Sequence, residues 1–461
     1  MTTFFHPRLA AVAAAVLLSA CGSMAPTYER PAAPVAPTWP HDATTPAAAL
    51  DDWQAFFPDP KLREVIGLAL QGNRDLRVAV LQIEQARALY QIRNADRYPT
   101  LSAQVTGSRA SANNSGNLYT AGIATSSWEI DFFGRIASLS NQALAQYLAT
   151  EEGRKAAQIT LVAAVANSWL ALVADEDLLA ITRQTLATRQ DSLRLTKLRF
   201  DNGVTSELDY RQAESLTESA RVALAQLQRA RMLDENALVQ LIGQPLPATL
   251  QPGAGIDAVA LPDVPAGAPS DLLVRRPDIR QSEQQLIAAN ANIGAARAAF
   301  FPRIALTAGV GAASSDLNGL VNNPAWGYTL APSLVLPIFD YGRNRAGLES
   351  ATASRDIAIA QYERSIQAAF REVADALAGR ATLGDQLQAT RAVVAAESAR
   401  LKLSDLRYSN GVASYLDMLD AQRNLFTAQI LMVQTRLAQL QSQVNLYKAL
   451  GGGWSEPVAQ P

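Results

Sequence analysis

Arg199-Phe200-Asp201-Asn202-Gly203-Val204-Thr205-Ser206-Glu207-Leu208-Asp209 returns later in the chain as Arg407-Tyr408-Ser409-Asn410-Gly411-Val412-Ala413-Ser414-Tyr415-Leu416-Asp417. The offset is constant, since 407 − 199 and 417 − 209 both equal 208. Each copy joins a helix stop to a helix start. Asn-Gly supplies a residue that enters the left-handed region without a Cβ clash. Ser206 then precedes Asp209, and Ser414 precedes Asp417, at the hydroxyl-to-carboxylate spacing of a capping box. Two long helices therefore meet as a hairpin at each turn. One such turn is an ordinary helical hairpin, whereas two at one fixed offset mark an internal duplication.

Working outward, the segments about 135 to 201 and 343 to 409 lead into the turns, and neither contains proline. Val165, Leu172, Leu179, Leu186, Leu193 and Phe200 step by seven, as do Val373, Leu387, Val394, Leu401 and Tyr408, with Arg380 breaking the second series. Leu419, Phe426, Val433, Leu440 and Tyr447 carry the same period down the last segment. A sustained seven-residue repeat predicts supercoiled, packed helices. At about 1.5 Å per residue, each of the two longest helices reaches about 100 Å.

Further out, a helical stretch from about Pro60 to Arg97 stops at Tyr98-Pro99, and its counterpart from Arg276 stops at Phe301-Pro302. Asp75-Leu76-Arg77 matches Asp278-Ile279-Arg280, and 278 − 75 and 302 − 99 both equal 203. After each proline the period changes to two: Leu101, Ala103 and Val105, then Ile304, Leu306, Ala308 and Val310. Turn-prone tips follow at Ser111–Asn117 and Ser314–Pro324. In the second return strand Trp326, Tyr328, Leu330, Leu334 and Leu336 oppose small or polar Gly327, Thr329, Ala331 and Ser333. The first return strand, Tyr119 to Asp131, alternates poorly. Asp131-Phe132-Phe133-Gly134-Arg135 and Phe339-Asp340-Tyr341-Gly342-Arg343 close the two hairpins.

Each half thus reads helix, β-hairpin, very long helix, helix. Strands greasy on one face and small or polar on the other suit a membrane barrel, although one such hairpin alone equally suits a half-buried soluble sheet. Four strands cannot close a barrel, and open edges are not tolerated in lipid, so several chains must share one. Two chains would leave a filled interior; the small inward residues favour three and an open lumen.

The remaining composition narrows the chemistry. The chain has 461 residues at net charge −2, which gives no electrostatic footprint for nucleic acid. Its one cysteine is Cys21, and its two histidines are His6 and His41, so thiol–imidazole catalysis and Cys/His metal sites are excluded from the body of the chain. No catalytic residue, cofactor or metal is expected. Residues 1–20 read as a signal peptide: Arg8, the apolar run Leu9 to Leu18, then Leu18-Ser19-Ala20-Cys21. That run is too short to span a bilayer, which needs about 20 residues, and no other apolar stretch is expected to do so. The closing residues are similar to a bacterial lipobox, which implies cleavage before Cys21 and acylation of its thiol. Residues 21–60, rich in proline and alanine, are expected to be an extended tether. The expected repeats are 61–247 and 271–454, with hairpins at about 100–132 and 303–339, a linker at 248–270 and a tail at 455–461.

Tyr28-Glu29-Arg30-Pro31, Trp53 to Leu62, Arg275-Arg276-Pro277-Asp278-Ile279-Arg280, Leu336-Pro337-Ile338-Phe339-Asp340, Asp420-Ala421-Gln422-Arg423 and Leu446 to Trp454 carry a family resemblance over nearly the whole mature chain. The chain resembles the lipidated, OprM-like branch of the TolC outer membrane factors. The resemblance implies a mainly α, TolC-like trimer with a twelve-stranded β-barrel continued by a twelve-helix α-barrel. It implies an outer membrane exit duct for a tripartite efflux system, joined through a periplasmic adaptor to an inner-membrane resistance-nodulation-division pump. Lipid would be met through acylated Cys21.

By that resemblance the twin turn is the periplasmic tip. Arg199, Gly203 and Val204, with Arg407, Gly411 and Val412, match the motif that meets adaptor hairpins. Leu416 and Asp420 match the positions that narrow the closed aperture, an apolar constriction beside an acidic ring that disfavours anions. Arg407, Tyr408 and Asp209 match contacts that hold neighbouring helices shut. A type I secretion duct, or a lipid-anchored coiled-coil adaptor or scaffold without a pore, remain the alternatives.

Overall fold

The computed structural model describes residues 23–39, 52–109, 116–253, 255–267, 269–452 and 454. Cys21, the signal segment 1–20 and the tail 455–461 lie outside the described residues. In chain order the elements are α1 (Trp53–Phe56), α2 (Pro60–Gly72), α3 (Arg74–Ala95), β1 (Ser102–Ser108), β2 (Leu118–Glu129), α4 (Arg135–Asp201) and α5 (Glu207–Ile242). Then follow α6 (Leu272–Arg275), α7 (Pro277–Ala298), β3 (Arg303–Ser314), α8 (Leu317–Asn322), β4 (Ala325–Val335), α9 (Arg343–Ser409) and α10 (Tyr415–Ala449). The two long helices are both 67 residues, so the order expected from the sequence occurs twice.

Packing divides the chain into two compact units that cut across the repeats. Of the described residues, the first comprises those within 23–33, 81–152 and 280–364, and the second those within 34–80, 153–279 and 365–454.

The first unit holds one antiparallel sheet in the order β1-β2-β3-β4. Strand partners share a face, so the register sorts the side chains. Val105, Tyr119, Ile123, Leu306, Val310, Tyr328 and Leu330 lie on one face, and Gln104, Thr106, Thr120, Thr307, Gly309, Thr329 and Ala331 on the other. The poor alternation of the first return strand has a cause. Thr125 pairs with Ala308 but Trp128 with Leu306, so β2 carries one extra residue, a bulge, with Ser127 at φ 53°. Past the bulge the parity inverts, and Trp128 rejoins the apolar face. Where a plain polar tip is expected at Ser314–Pro324, α8 forms instead, with Asp316 accepting from the Gly319 N–H at 2.6 Å. At the base, Glu129 accepts from Arg135 at 2.7 Å and pairs with Arg303, fixing the turn from β2 into α4.

The second unit contains the main core. Val165, Leu172 and Leu179, at the seven-residue period, are buried with Trp169, Leu238, Ile242, Leu440 and Tyr447. α4 also corrects the expectation that no further stretch is apolar enough to cross a membrane. It contains an 18-residue window of mean hydropathy 1.7, but 56% of that window is buried, as a coiled-coil core requires.

Three further expectations change. The helix expected from Pro60 to Arg97 is two helices, because Asn73 is extended at ψ 130°. Its Oδ1 accepts from the Leu76 N–H at 2.8 Å, capping α3, and its Nδ2 donates to the Leu241 carbonyl at 2.9 Å. A Cβ on Gly72 would fall 2.3 Å from the Ile242 carbonyl oxygen, so only glycine permits this approach. The tether is in part docked rather than loose. Tyr28 and Arg30 bond the buried Glu283 carboxylate at 2.7–2.9 Å, and Trp39 stacks on Phe370 with its indole donating to the Gly267 carbonyl. The segment 248–270, expected as a linker, likewise contributes buried Leu250 and Ile256 to the core. In each case large side chains find buried partners that proline and alanine content does not reveal.

Asn73→Ala removes both a cap and a carbonyl partner. The expected cost is about 1–2 kcal/mol, read as a lower thermal midpoint of the detergent-solubilised protein.

Candidate functional site: the twin helical turn

Both turns fold as their residues dictate. Gly203 and Gly411 adopt φ 72°, and the Val204 and Val412 amides reach back to the Arg199 and Arg407 carbonyls at 2.8 Å. The capping boxes are complete. Asp209 N donates to Ser206 Oγ at 3.1 Å and Asp417 N to Ser414 Oγ at 3.3 Å, while each serine hydroxyl donates to the paired carboxylate. Val204 and Val412 are left 72% and 68% exposed at the apex of each turn.

Behind the turns, aromatic residues tie the two hairpins together. Arg199 Nη1 donates to the Tyr408 hydroxyl at 2.7 Å. The Tyr408 ring sits 5.3 Å from that of Tyr415. The Tyr415 hydroxyl lies 3.0 Å from Ser192 Oγ and accepts from Thr196 Oγ1 at 3.1 Å. Tyr415, Met418, Leu419 and Ala213 form a small buried cluster beneath. A single ladder of contacts therefore runs from α4 through α9 to α10.

The structure brings some of the expected residues together and leaves others apart. Within the chain Tyr408 meets Arg199, not Asp209. The Asp209 carboxylate accepts from Thr205 Oγ1 and Ser206 Oγ, both at 2.8 Å. Burial pushes this carboxyl up, but the Ser206 and Thr205 donors outweigh it and hold the group below the usual carboxylate range. Arg407 has no salt-bridge partner within the chain among the described residues. Leu416 is 50% exposed on the first turn of α10. Asp420 lies one turn on, but Arg423 bonds it at 2.5 Å, so each acidic position brings its own counter-charge. Sequence reasoning missed the roles of Arg423 and of the Tyr415 hydroxyl. For Tyr415 the signal was available: it stands where the first copy has Glu207, a polar surface residue.

Ser206→Ala should cost about 1 kcal/mol of stability at neutral pH. The Asp209 contribution is present above the ordinary carboxylate pKa and is lost as pH falls through the depressed folded value. Acid unfolding of wild type and Ser206→Ala, followed by circular dichroism, should therefore converge as pH drops.

A half-open sheet with one apolar face, joined in one chain to two very long helical hairpins, defines an outer membrane channel of the TolC-like fold. The chain matches the outer membrane efflux protein family over residues 65–244 and 268–452, and it belongs to that family. It is 46% identical over 462 residues to the probable efflux pump outer membrane protein TtgC of Pseudomonas putida, covering 97% of this chain and 95% of that protein. It is 45% identical over 461 residues to the outer membrane protein OprJ of Pseudomonas aeruginosa, covering 97% and 96%. The open-state crystal structure of the Neisseria gonorrhoeae MtrE outer membrane channel superposes with a TM-score of 0.87 at 38% identity, covering 94% of this chain and 98% of that one. The protein is an outer membrane exit duct for efflux.

Proposed function

We propose that three copies assemble into a twelve-stranded barrel and a twelve-helix periplasmic tunnel, serving a periplasmic adaptor and an inner-membrane resistance-nodulation-division pump. The observation that carries this reading is the four-stranded sheet with both edge strands, β1 and β4, unpaired and exposed. Unpaired backbone groups at an edge are costly in lipid, and pairing β4 of one copy with β1 of the next removes both edges. The small residues of the other face, Gly309, Gly327 and Ala331 among them, would line a water-filled lumen.

Within this assembly the exposed valines of the twin turn are the adaptor contact, with Arg199, Gly203 and Gly411 setting their geometry. Leu416 and Asp420 from three copies form the aperture. Arg407, whose guanidinium has no salt-bridge partner among the described residues of its own chain, reaches a neighbouring copy. Tyr408, held by Arg199, and Asp209, held by its cap, are the parts that move when the helices part. Acylated Cys21 anchors the chain to lipid, and the docked Tyr28–Arg30 segment holds that end against Glu283. The repeats 61–247 and 271–454 are one ancestral hairpin unit written twice. No step is catalytic, because the pump supplies the energy. The cargo is small molecules, drugs among them.

Mass measurement of the detergent-extracted protein together with planar-bilayer recording tests the reading. A trimer with a small, stable conductance is the expected result. A monomer with no conductance would overturn it.

A further inference from the structure

We propose that a protonated Asp175 on α4, donating to the Asp234 carboxylate on α5, forms a pH-responsive fastening between these two helices. Asp175 is only 7% exposed, and its Oδ2 is buried without a hydrogen-bond donor. Glu176 on α4 pairs with Arg231 on α5 at the same level, which brings Asp234, one turn on from Arg231, beside Asp175. Two ionised carboxylates cannot occupy such a place together, whereas one proton turns repulsion into a charge-assisted O–H···O bond. No group of three acidic, histidine or cysteine side chains suited to a metal occurs among the described residues, so a proton fits the pair better than a cation.

The surrounding charges do not neutralise it. Glu176, on the same helix, adds to the negative field. Arg231 on α5 is the nearby cation, but its guanidinium is taken up by Glu176, by Glu235 at 2.8 Å and by Gln251 at 3.1 Å. Burial comes first in pushing the Asp175 carboxyl up, to about 7, and the Asp234 carboxylate follows.

The duplication supplies an internal control. Position 175 + 208 is Leu383 and position 234 + 208 is Ser442. In the second copy these two side chains lie together over Gly379, and Ser442 Oγ donates to the Ala376 carbonyl at 3.3 Å. The same helix pair therefore packs without any carboxyl. The acidic pair is a property of the first hairpin alone, and packing does not require it.

The sign follows from the raised value. The folded carboxyl binds its proton more tightly than an unfolded aspartate of pKa about 3.9. The fastening is complete at low pH and is lost as pH rises through about 7. Loss of the proton reaches the neighbouring segment, because Asp177 accepts from the Ile256 N–H at 2.7 Å and Arg231 holds Gln251. The helices concerned are those that end at the Gly203 turn, so the first hairpin stiffens on acidification while the second does not respond.

Hydrogen exchange of the full detergent-solubilised protein at about pH 5.5 and about pH 8.5, corrected for intrinsic exchange, tests this. Protection of peptides covering 170–180 and 229–238 should fall by up to about thirtyfold at the higher pH, the linkage lost between about pH 5.5 and a folded value of about 7. Peptides covering 378–388 and 437–446 should not change. The transplant Asp175→Leu with Asp234→Ser, and separately Asp175→Asn, should abolish the pH dependence, whereas Asp234→Asn, which leaves the Asp175 carboxyl buried, should weaken it and move its midpoint down. A pH-independent wild type, a dependence that survives in Asp175→Asn, or a midpoint unmoved in Asp234→Asn would overturn the proposal. Infrared titration of wild type needs no variant to fold: a protonated carboxyl band that disappears near pH 7 supports the shared proton, and its absence at acidic pH refutes it.

Discussion

Single-channel conductance of the Leu416→Ala, Asp420→Ala double variant is expected to rise several-fold above wild type. In the proposed trimer three Leu416 side chains facing one another would make an apolar constriction that resists wetting, and truncation to alanine would widen and hydrate it. The proposed ring of Asp420 would contribute less than its formal charge suggests. Asp420 is bonded to Arg423, and an exposed pair of this kind is worth about 0–1 kcal/mol and is screened by salt. Leu416→Ala alone should therefore account for most of the rise, with Asp420→Ala altering ion selectivity more than size. Separate recordings of the two single variants decide between these contributions. An unchanged conductance in Leu416→Ala would move the constriction elsewhere in the tunnel.

A large stability loss is expected at Arg276→Ala. This guanidinium is 6% exposed and bonds Asp278 at 3.0 and 2.6 Å, Glu372 at 2.8 Å and the Ala449 carbonyl at 3.0 Å. Truncation strands two carboxylates and a carbonyl at once. Breaking a buried ion pair costs about 3–5 kcal/mol, and the lower end applies because both acids are half-exposed and rehydrate. Arg276→Lys should recover only part of this, since one ammonium cannot serve acceptors on three sides. Thermal unfolding of the three proteins gives the comparison, and an Arg276→Ala midpoint equal to wild type would refute it.

Arg276 also shows how far the duplication reaches. Its counterpart at offset 203 is Asn73, and the counterpart of Ala449 at offset 208 is Leu241. Asn73 bonds the Leu241 carbonyl as Arg276 bonds that of Ala449. In both repeats a side chain at the break between two helices therefore satisfies a last-turn carbonyl of the fourth helix. One solution is neutral and short, the other charged and long.

Local rules were enough for much of this protein. The turns at Gly203 and Gly411, their capping boxes, the seven-residue stripe through Val165 and Leu172, and the two-residue alternation of β3 and β4 were legible in the sequence. Each depends on neighbours a few residues apart, where backbone sterics and periodic burial act directly. The four-strand limit followed from counting, and with it the need for further copies.

Tertiary structure decided the rest, and in each instance the partner lies far away in the chain. The break at Asn73 depends on Leu241, and the docking of Tyr28 and Arg30 on Glu283. The ladder from Arg199 through Tyr408 to Tyr415, and the facing of Asp175 by Asp234, likewise join separate helices. The bulge in β2 was visible only as a failure of alternation until its pairing with β3 located the extra residue. Hydrogen bonds and buried charges are set by which surfaces meet, and periodicity says which face is buried without saying what it is buried against.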